Sequence, residues 1–117
     1  MGDFQKLEVW QQARTLTKLV YQATKTFPTA ERFGLTAQTR RAAVSVMANI
    51  AEGCGRNRKA ELIRFLSIAS GSATELECHF IVANDQDYLK GSFAELQRRA
   101  TRVQRMIAGL IRRLNNQ

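Results

Sequence analysis

Residues 93–114 read FAELQRRATRVQRMIAGLIRRL, and this stretch decides the fold class. Its apolar residues recur at alternating steps of three and four: Phe93, Leu96, Ala100, Val103, Ile107, Leu110 and Leu114. This spacing is the a/d seam of a heptad pattern, which places one apolar stripe along one side of an α-helix. Helices with such a seam pack against one another at shallow angles, so we expect a helical bundle.

The basic residues of the same stretch lie on the other side of the predicted helix. They occupy the outer heptad positions f, c and g: Arg98, Arg102, Arg105, Arg112 and Arg113. By default such a row is simply a solvated helix surface. However, Glu95 is the only acidic residue of this helix, whereas surface helices usually carry both signs, and the row therefore favours a polyanionic partner.

The rest of the chain is also predicted to be helical, because it contains one proline, few glycines and no alternating β-branched run. We expect a first helix ending at Phe27-Pro28, a second from Thr36 to Gly53, and a third from about Arg58 to the mid-eighties. At 117 residues the chain fits a single all-α domain, residues 1–117.

Polar residues near the predicted helix ends suggest how three of the helices begin. Thr36 and Asn57 are expected to be the N-caps of the second and third helices. Ser92 and Glu95 have the spacing of a capping box ahead of the fourth helix. The third helix is expected to bury the positions Leu62, Phe65, Ala69, Ala73, Leu76, Phe80 and Ala83.

The stretch AEGCGRNRK, residues 51–59, joins the second and third predicted helices. Its glycines could indicate a phosphate-binding loop, but such a loop follows a strand and has a third glycine or a GK[ST] ending, and neither feature is present. We interpret Gly53 and Gly55 as left-handed residues that end the second helix. Arg56, Arg58 and Lys59 then lie beside the free N–H groups of the third helix and are candidate phosphate contacts.

The residues capable of chemistry do not form a catalytic or metal-binding pattern. Cys54, Cys78 and His79 lack the spacing of a metal-ligand set, and no base can be assigned to Cys54. Glu75 lies four residues before His79 and could pair with it. The favoured role of Glu75 and Glu77, however, is to neutralise arginines of a neighbouring helix, such as Arg40 or Arg41. We therefore expect no enzyme activity, no metal or organic cofactor and no small-molecule substrate.

The net charge of +8 and the pI near 10.3 favour an acidic partner, with nucleic acid first and an anionic membrane surface second. The segments 32–64 and 92–117 are basic, and the segment 65–91 between them is acidic. No apolar run approaches the roughly 20 residues that cross a bilayer, and no signal peptide is evident. With only two cysteines, this predicts a soluble protein of the reducing cytoplasm.

The second predicted helix is apolar on nearly all sides. Residues 42–51, AAVSVMANIA, include eight apolar residues, and Ser45 and Asn49 form only a narrow polar stripe. A helix of an isolated bundle needs a single apolar side, so we expect other copies of the chain to cover the remainder. The alternative is that small alanines tolerate exposure to water.

Four blocks occur in order along essentially the full chain: FQKLEVWQQA (4–13), VYQATKTFP (20–28), ERFGLTAQTRRAAVSVMANIAEGCGR (31–56) and FLSIASGSATELE (65–77). Together they resemble the four-helix-bundle proteins encoded in intervening sequences of bacterial 23S rRNA genes. The resemblance implies an up-and-down antiparallel four-helix bundle, a homopentameric barrel as in members of this fold, and no enzyme activity. It also implies kinship with the basic accessory proteins of diversity-generating retroelements, which associate with nucleic acid and reverse transcriptase. The segment 83–92 is the least similar to the family, which leaves the end of the third helix open.

Two function hypotheses follow. The leading one is a non-catalytic, oligomeric module that binds nucleic acid, RNA rather than DNA, by phosphate contacts from the arginines of the fourth helix and from Arg56 to Lys59. The alternative is a protein-interaction scaffold whose basic surface docks an acidic partner protein.

Overall fold

The computed structural model describes residues 2–117, which form four long helices. Their bounds are α1 Glu8–Thr24, α2 Leu35–Cys54, α3 Lys59–Asp85 and α4 Phe93–Asn115. Short 3-10 turns precede α1 at Phe4–Lys6 and precede α2 at Thr29–Glu31. None of the described helices is long and apolar enough to cross a membrane.

The helices form a ring in chain order, in which α2 packs on α1 and α3, and α4 packs on α3 and α1. Among the described residues, the diagonal pairs α1/α3 and α2/α4 have no Cα atoms within 8 Å of each other. Sequential neighbours joined by short connections define the predicted up-and-down antiparallel four-helix bundle. The molecule is elongated, with extents of 46 × 23 × 20 Å.

The apolar seam of α4 is buried as its spacing predicts. Six of its seven residues lie in the core, namely Leu96, Ala100, Val103, Ile107, Leu110 and Leu114, while Phe93 is half-buried at the first turn. In α3 one predicted core position is wrong, because Leu66 rather than Phe65 is buried. The Phe65 ring instead lies beside the end of α2, between two arginine side chains.

The contact between α2 and α3 uses small and polar side chains. The hydroxyls of Ser45 and Ser72 lie 2.9 Å apart across the two helices. The Asn49 side-chain amide donates to the Ser45 carbonyl at 2.8 Å and to its hydroxyl at 3.0 Å. The narrow polar stripe of α2 is therefore turned toward α3, and the outer side of α2 carries apolar residues instead.

The predicted helix caps are wrong at three N-termini. Gly34, not Thr36, precedes α2, and Thr36 is a buried residue within that helix. Arg58, not Asn57, precedes α3 and makes no side-chain cap. Ser92 precedes α4, but its hydroxyl donates to the Leu89 carbonyl at 2.6 Å instead of capping the helix. A side-chain cap stabilises a helix by only about 1 kcal/mol, so the packing of the connecting segments decides these ends.

The connections also differ from the prediction in their backbone conformation. Gly55 follows α2 with a φ of −79°, so it is right-handed, and Gly53 lies within the last turn of α2. The interpretation of both as left-handed terminators is therefore wrong, although α2 does end at this place. The left-handed residues occur in the connection between α3 and α4, at Asp87, Lys90 and Gly91, with φ values of 61°, 53° and 89°.

Gly53 has a packing role instead. A Cβ atom built on it would lie 3.0 Å from the Phe65 Cβ and 3.3 Å from the Leu62 carbonyl oxygen. These atoms belong to the start of α3, so the two helices can approach this closely only because position 53 has no side chain. Gly71, in the middle of α3, has no such neighbour within 4 Å in the described part of the chain.

Replacing Gly53 with alanine should lower the free energy of unfolding by about 1–3 kcal/mol, because the added methyl group overpacks the α2/α3 contact. Gly71→Ala is the matched control, since it adds the same methyl group to open space. We expect it to leave stability unchanged or to raise it by about 1 kcal/mol through helix propensity. Urea denaturation followed by circular dichroism measures both. Equal effects of the two substitutions would contradict the packing role of Gly53.

Candidate nucleic-acid interface

The arginine ridge, defined here as Arg98, Arg102, Arg105 and Arg112, lies on the side of α4 opposite the buried seam. All four residues are exposed, as is the adjacent Arg113. Arg98 and Arg112 are 14 positions apart, so the ridge extends for about 21 Å at the α-helical rise. Since one nucleic-acid strand presents a phosphate roughly every 3.4 Å along a duplex axis, this length can contact several phosphates.

Most of the ridge has no intramolecular counter-charge. Within residues 2–117, no carboxylate lies within 4.0 Å of a charged nitrogen of Arg98, Arg105 or Arg112. Glu95 pairs with Arg99, at 3.7 Å, and so does not neutralise the ridge. The exception is Arg102.

Arg102 faces the first turn of α1, where its Nη2 lies 3.7 Å from the Glu8 Oε1. Both side chains remain more than half exposed, so the pair is solvent-screened and contributes little to stability. A phosphate could therefore replace the Glu8 carboxylate as the partner of Arg102. Glu8 is the acidic residue of the ridge region that sequence analysis missed.

A groove of about 450 Å³ runs between the start of α1 and the second half of α4. Its charged lining comes from Arg102, Arg105 and Arg113 on α4 and from Glu8 on α1. Leu7, Val9, Met106, Gly109 and Leu110 complete the groove. The groove thus combines three arginines with an apolar surface formed mainly by Leu7, Val9, Met106 and Leu110.

The basic residues between α2 and α3 differ in whether they are paired within the described chain. Arg56 is held within the chain, because its guanidinium lies 3.7 Å from Glu52 and stacks 5.1 Å from the Phe65 ring centre. The Arg64 guanidinium lies 4.4 Å from the centre of the same Phe65 ring, and its Nε donates to Glu61 at 2.9 Å. This hydrogen bond holds the pKa of Glu61 below its ordinary value.

Arg58 and Lys59 make no ion pair with any described residue. They line a cavity of about 440 Å³ together with Leu114 and Gln117 from the end of the chain. The structure therefore brings the joint to the same end of the bundle as Arg112 and Arg113. Arg98, near the start of α4, lies toward the opposite end, so the predicted residues do not form one compact site.

The candidate reactive residues are placed as follows. Cys54 is buried, and burial raises the pKa of its thiol, which keeps it protonated and unreactive at neutral pH. His79 Nε2 lies 3.0 Å from Glu75 Oε2, so Glu75 pairs within its own helix. Among residues 2–117 neither Glu75 nor Glu77 forms an ion pair with Arg40 or Arg41, so that expectation is wrong. Arg40 instead donates from Nε to the Thr24 hydroxyl at 2.8 Å. No group of three or more potential metal ligands is clustered in the described chain.

Comparisons with known proteins agree with this architecture. A crystal structure of a protein of unknown function from the S23 ribosomal protein family of Bacteroides thetaiotaomicron VPI-5482 matches with a TM-score of 0.81 over 89% of this chain and 95% of that one. At 20% identity, this similarity shows the fold alone. No curated protein matches the chain. The family model described as 23S rRNA-intervening sequence protein matches residues 5–109, and the chain therefore belongs to that family.

Proposed function

We propose that this protein is a non-catalytic, oligomeric helical bundle that binds nucleic acid, with RNA favoured over DNA, through contacts to phosphates. The observation that carries the proposal is the row of exposed arginines on α4, three of which lack a carboxylate partner among residues 2–117. Uncompensated arginines that point to solvent along about 21 Å provide an electrostatic match to a phosphate backbone.

Phosphate contacts of this kind would bind without reading base sequence, because flexible arginines on a convex helix do not present a fixed pattern to base edges. We place the protein in the cytoplasm on the basis of its cysteine content.

Self-association is the second part of the proposal. The outer side of α2 exposes Val44 and Ala48, and with Met47, Phe4 and Trp10 these residues line a shallow apolar depression of about 220 Å³. Ile68 and Val82 of α3 are also more than 40% exposed. Burying this surface against other copies would remove it from water, and the family resemblance favours a pentamer.

The apolar lining of the groove between α1 and α4 favours one alternative, in which the groove binds a helix of a partner protein. An acidic amphipathic helix of a partner protein could place its carboxylates on Arg102, Arg105 and Arg113 and its apolar side on Met106 and Leu110. In that case the protein is an interaction scaffold.

Reversing Arg98, Arg105 and Arg112 to glutamate should weaken binding to single-stranded RNA and flatten its salt dependence. Because each phosphate contact contributes about −0.7 to the slope of log affinity against log salt, losing three contacts should reduce that slope by about 2. Fluorescence anisotropy at several salt concentrations measures both quantities. The buried seam is untouched, so helicity and assembly should persist.

The control for this variant reverses three exposed lysines elsewhere, Lys6, Lys18 and Lys90, which changes the net charge equally. We expect it to keep most of the affinity and a steeper salt slope than the arginine variant. If the folded arginine variant binds RNA with the parental affinity and slope, the ridge is only a solvated surface and the scaffold alternative replaces the proposal.

Replacing Ala48 with glutamate should dissociate the oligomer. Ala48 is exposed in the single chain, so a charge there does not disturb the fold of the subunit but would be buried without a partner in an assembly through α2. Ala43 would not serve, because it lies in the core of its own bundle. Light scattering gives the mass, and Ala94→Glu, at an exposed position of α4, is the control. A parent protein of 13.2 kDa in solution would rule out self-association, and an assembled Ala48→Glu variant would place the contact elsewhere.

A further inference from the structure

Phe33, in the connection between α1 and α2, is 86% exposed, more than any other large hydrophobic residue described. It follows the 3-10 turn at Thr29–Glu31 and immediately precedes Gly34. The Arg32 guanidinium lies 5.3 Å from the centre of its ring, and among the described residues Phe33 does not pack against the hydrophobic core. The connection thus presents a free aromatic face beside a cation.

The surface next to Phe33 is basic. A cavity of about 380 Å³ is lined by Arg32, Lys25 and Arg40, together with threonine side chains from α1, α2 and the connection. Arg40 is held in place, because its Nε donates to the Thr24 hydroxyl at 2.8 Å and its guanidinium lies 4.7 Å from the Tyr21 ring centre. Within the described chain, no carboxylate lies within 4.0 Å of these three cationic groups.

The carboxylate nearest in sequence, Glu31, is directed into the protein. Its Oε1 accepts from the Leu35 backbone N–H at 3.3 Å, at the start of α2, and its Oε2 accepts from the Tyr88 hydroxyl at 3.2 Å. Burial and this carboxylate raise the pKa of Tyr88 above its ordinary value, so the hydroxyl remains a donor. Glu31 is therefore used to fix the connection and does not neutralise the basic cavity.

We propose that this connection is a second nucleic-acid contact, in which Phe33 stacks on an unpaired base while Arg32, Lys25 and Arg40 contact the adjacent phosphates. Exposed aromatic rings beside cationic side chains are the elements with which proteins bind single strands. The inference rests on the proposed nucleic-acid binding and specifies its substrate. Bases inside a continuous duplex are already stacked on both sides, so the ligand is a single-stranded or looped segment.

The test uses two 12-nucleotide probes with the same ribose-phosphate backbone, one carrying uracil at every position and one lacking bases. The parent protein should bind the uracil probe more tightly than the abasic probe. Phe33→Ala should lose this preference, by roughly 5- to 100-fold in affinity for the uracil probe, and retain the affinity for the abasic probe. Its salt slope should not change, because phosphate contacts are preserved. Phe33→Leu, which keeps apolar bulk without a flat π-face, should behave like Phe33→Ala, whereas Phe33→Tyr should behave like the parent.

Each other outcome has a defined meaning. Equal binding of both probes by the parent protein would overturn the stacking role and leave the proposed phosphate binding intact, whereas failure to bind either probe would overturn both. A Phe33→Ala variant that loses affinity for both probes equally would show that Phe33 acts through the fold or the phosphates. If Phe33→Ala changes the mass measured by light scattering, the partner of Phe33 is another copy of the chain, and the inference is wrong.

Discussion

The burial of one side of α4 fixes the position of every arginine on that helix. The seam from Leu96 to Leu114 lies in the core, and burying a large aliphatic side chain stabilises the fold by about 1.5–3 kcal/mol. Rotating α4 about its axis would expose several of these residues and bury charged side chains without partners, which costs far more. The outward direction of the arginine ridge is therefore a consequence of the core and not of any interaction made by the arginines themselves.

The second constraint is the close approach of α2 to α3 at Gly53. This contact holds the end of α2 close to the start of α3. At the same end of the bundle, Arg58 and Lys59 lie beside Leu114 and Gln117, near the end of the chain. The Phe65 ring also lies at this end, outside the core, where the guanidinium groups of Arg56 and Arg64 stack on it. The same packing that makes this end basic thus removes Arg56 from the set of freely available cations.

The sequence predicted the features that depend on long periodic patterns. The seam of α4 and the outward direction of Arg98, Arg105 and Arg112 follow from heptad spacing. The number of helices follows from the single proline, the few glycines and the absence of alternating β-branched runs. The helix caps were not predicted correctly, because an N-cap contributes about as much free energy as one ordinary hydrogen bond. Other interactions therefore decide these positions: Thr36 is buried within α2, and the Ser92 hydroxyl donates to the Leu89 carbonyl. Likewise, Gly53 is compatible with either a left-handed turn or a close helix contact, and only the position of α3 distinguishes them.

At the candidate interface, the missing information was tertiary. The pairing of Glu8 with Arg102 joins residues from the first and last helices, and no local pattern relates them. The exposure of Phe33 could not be foreseen either, since an aromatic residue between two apolar helices is usually buried. The structure relates this exposure to the hydrogen bonds of Glu31. Its carboxylate points inward, to the Leu35 N–H and the Tyr88 hydroxyl, while the Phe33 ring points outward.

The arrangement of the helices also determines how assembly and nucleic-acid binding would combine. Since α2 and α4 are diagonal neighbours in the described chain, their outer sides point in opposite directions. Assembly through the apolar side of α2 would therefore leave the arginine ridge of each subunit free on the outside of the oligomer. Ridges repeated around a ring would engage one long strand as linked sites, so that avidity would greatly exceed the affinity of a single bundle. Screening by salt would then weaken binding steeply, because the contacts made by the linked ridges are electrostatic.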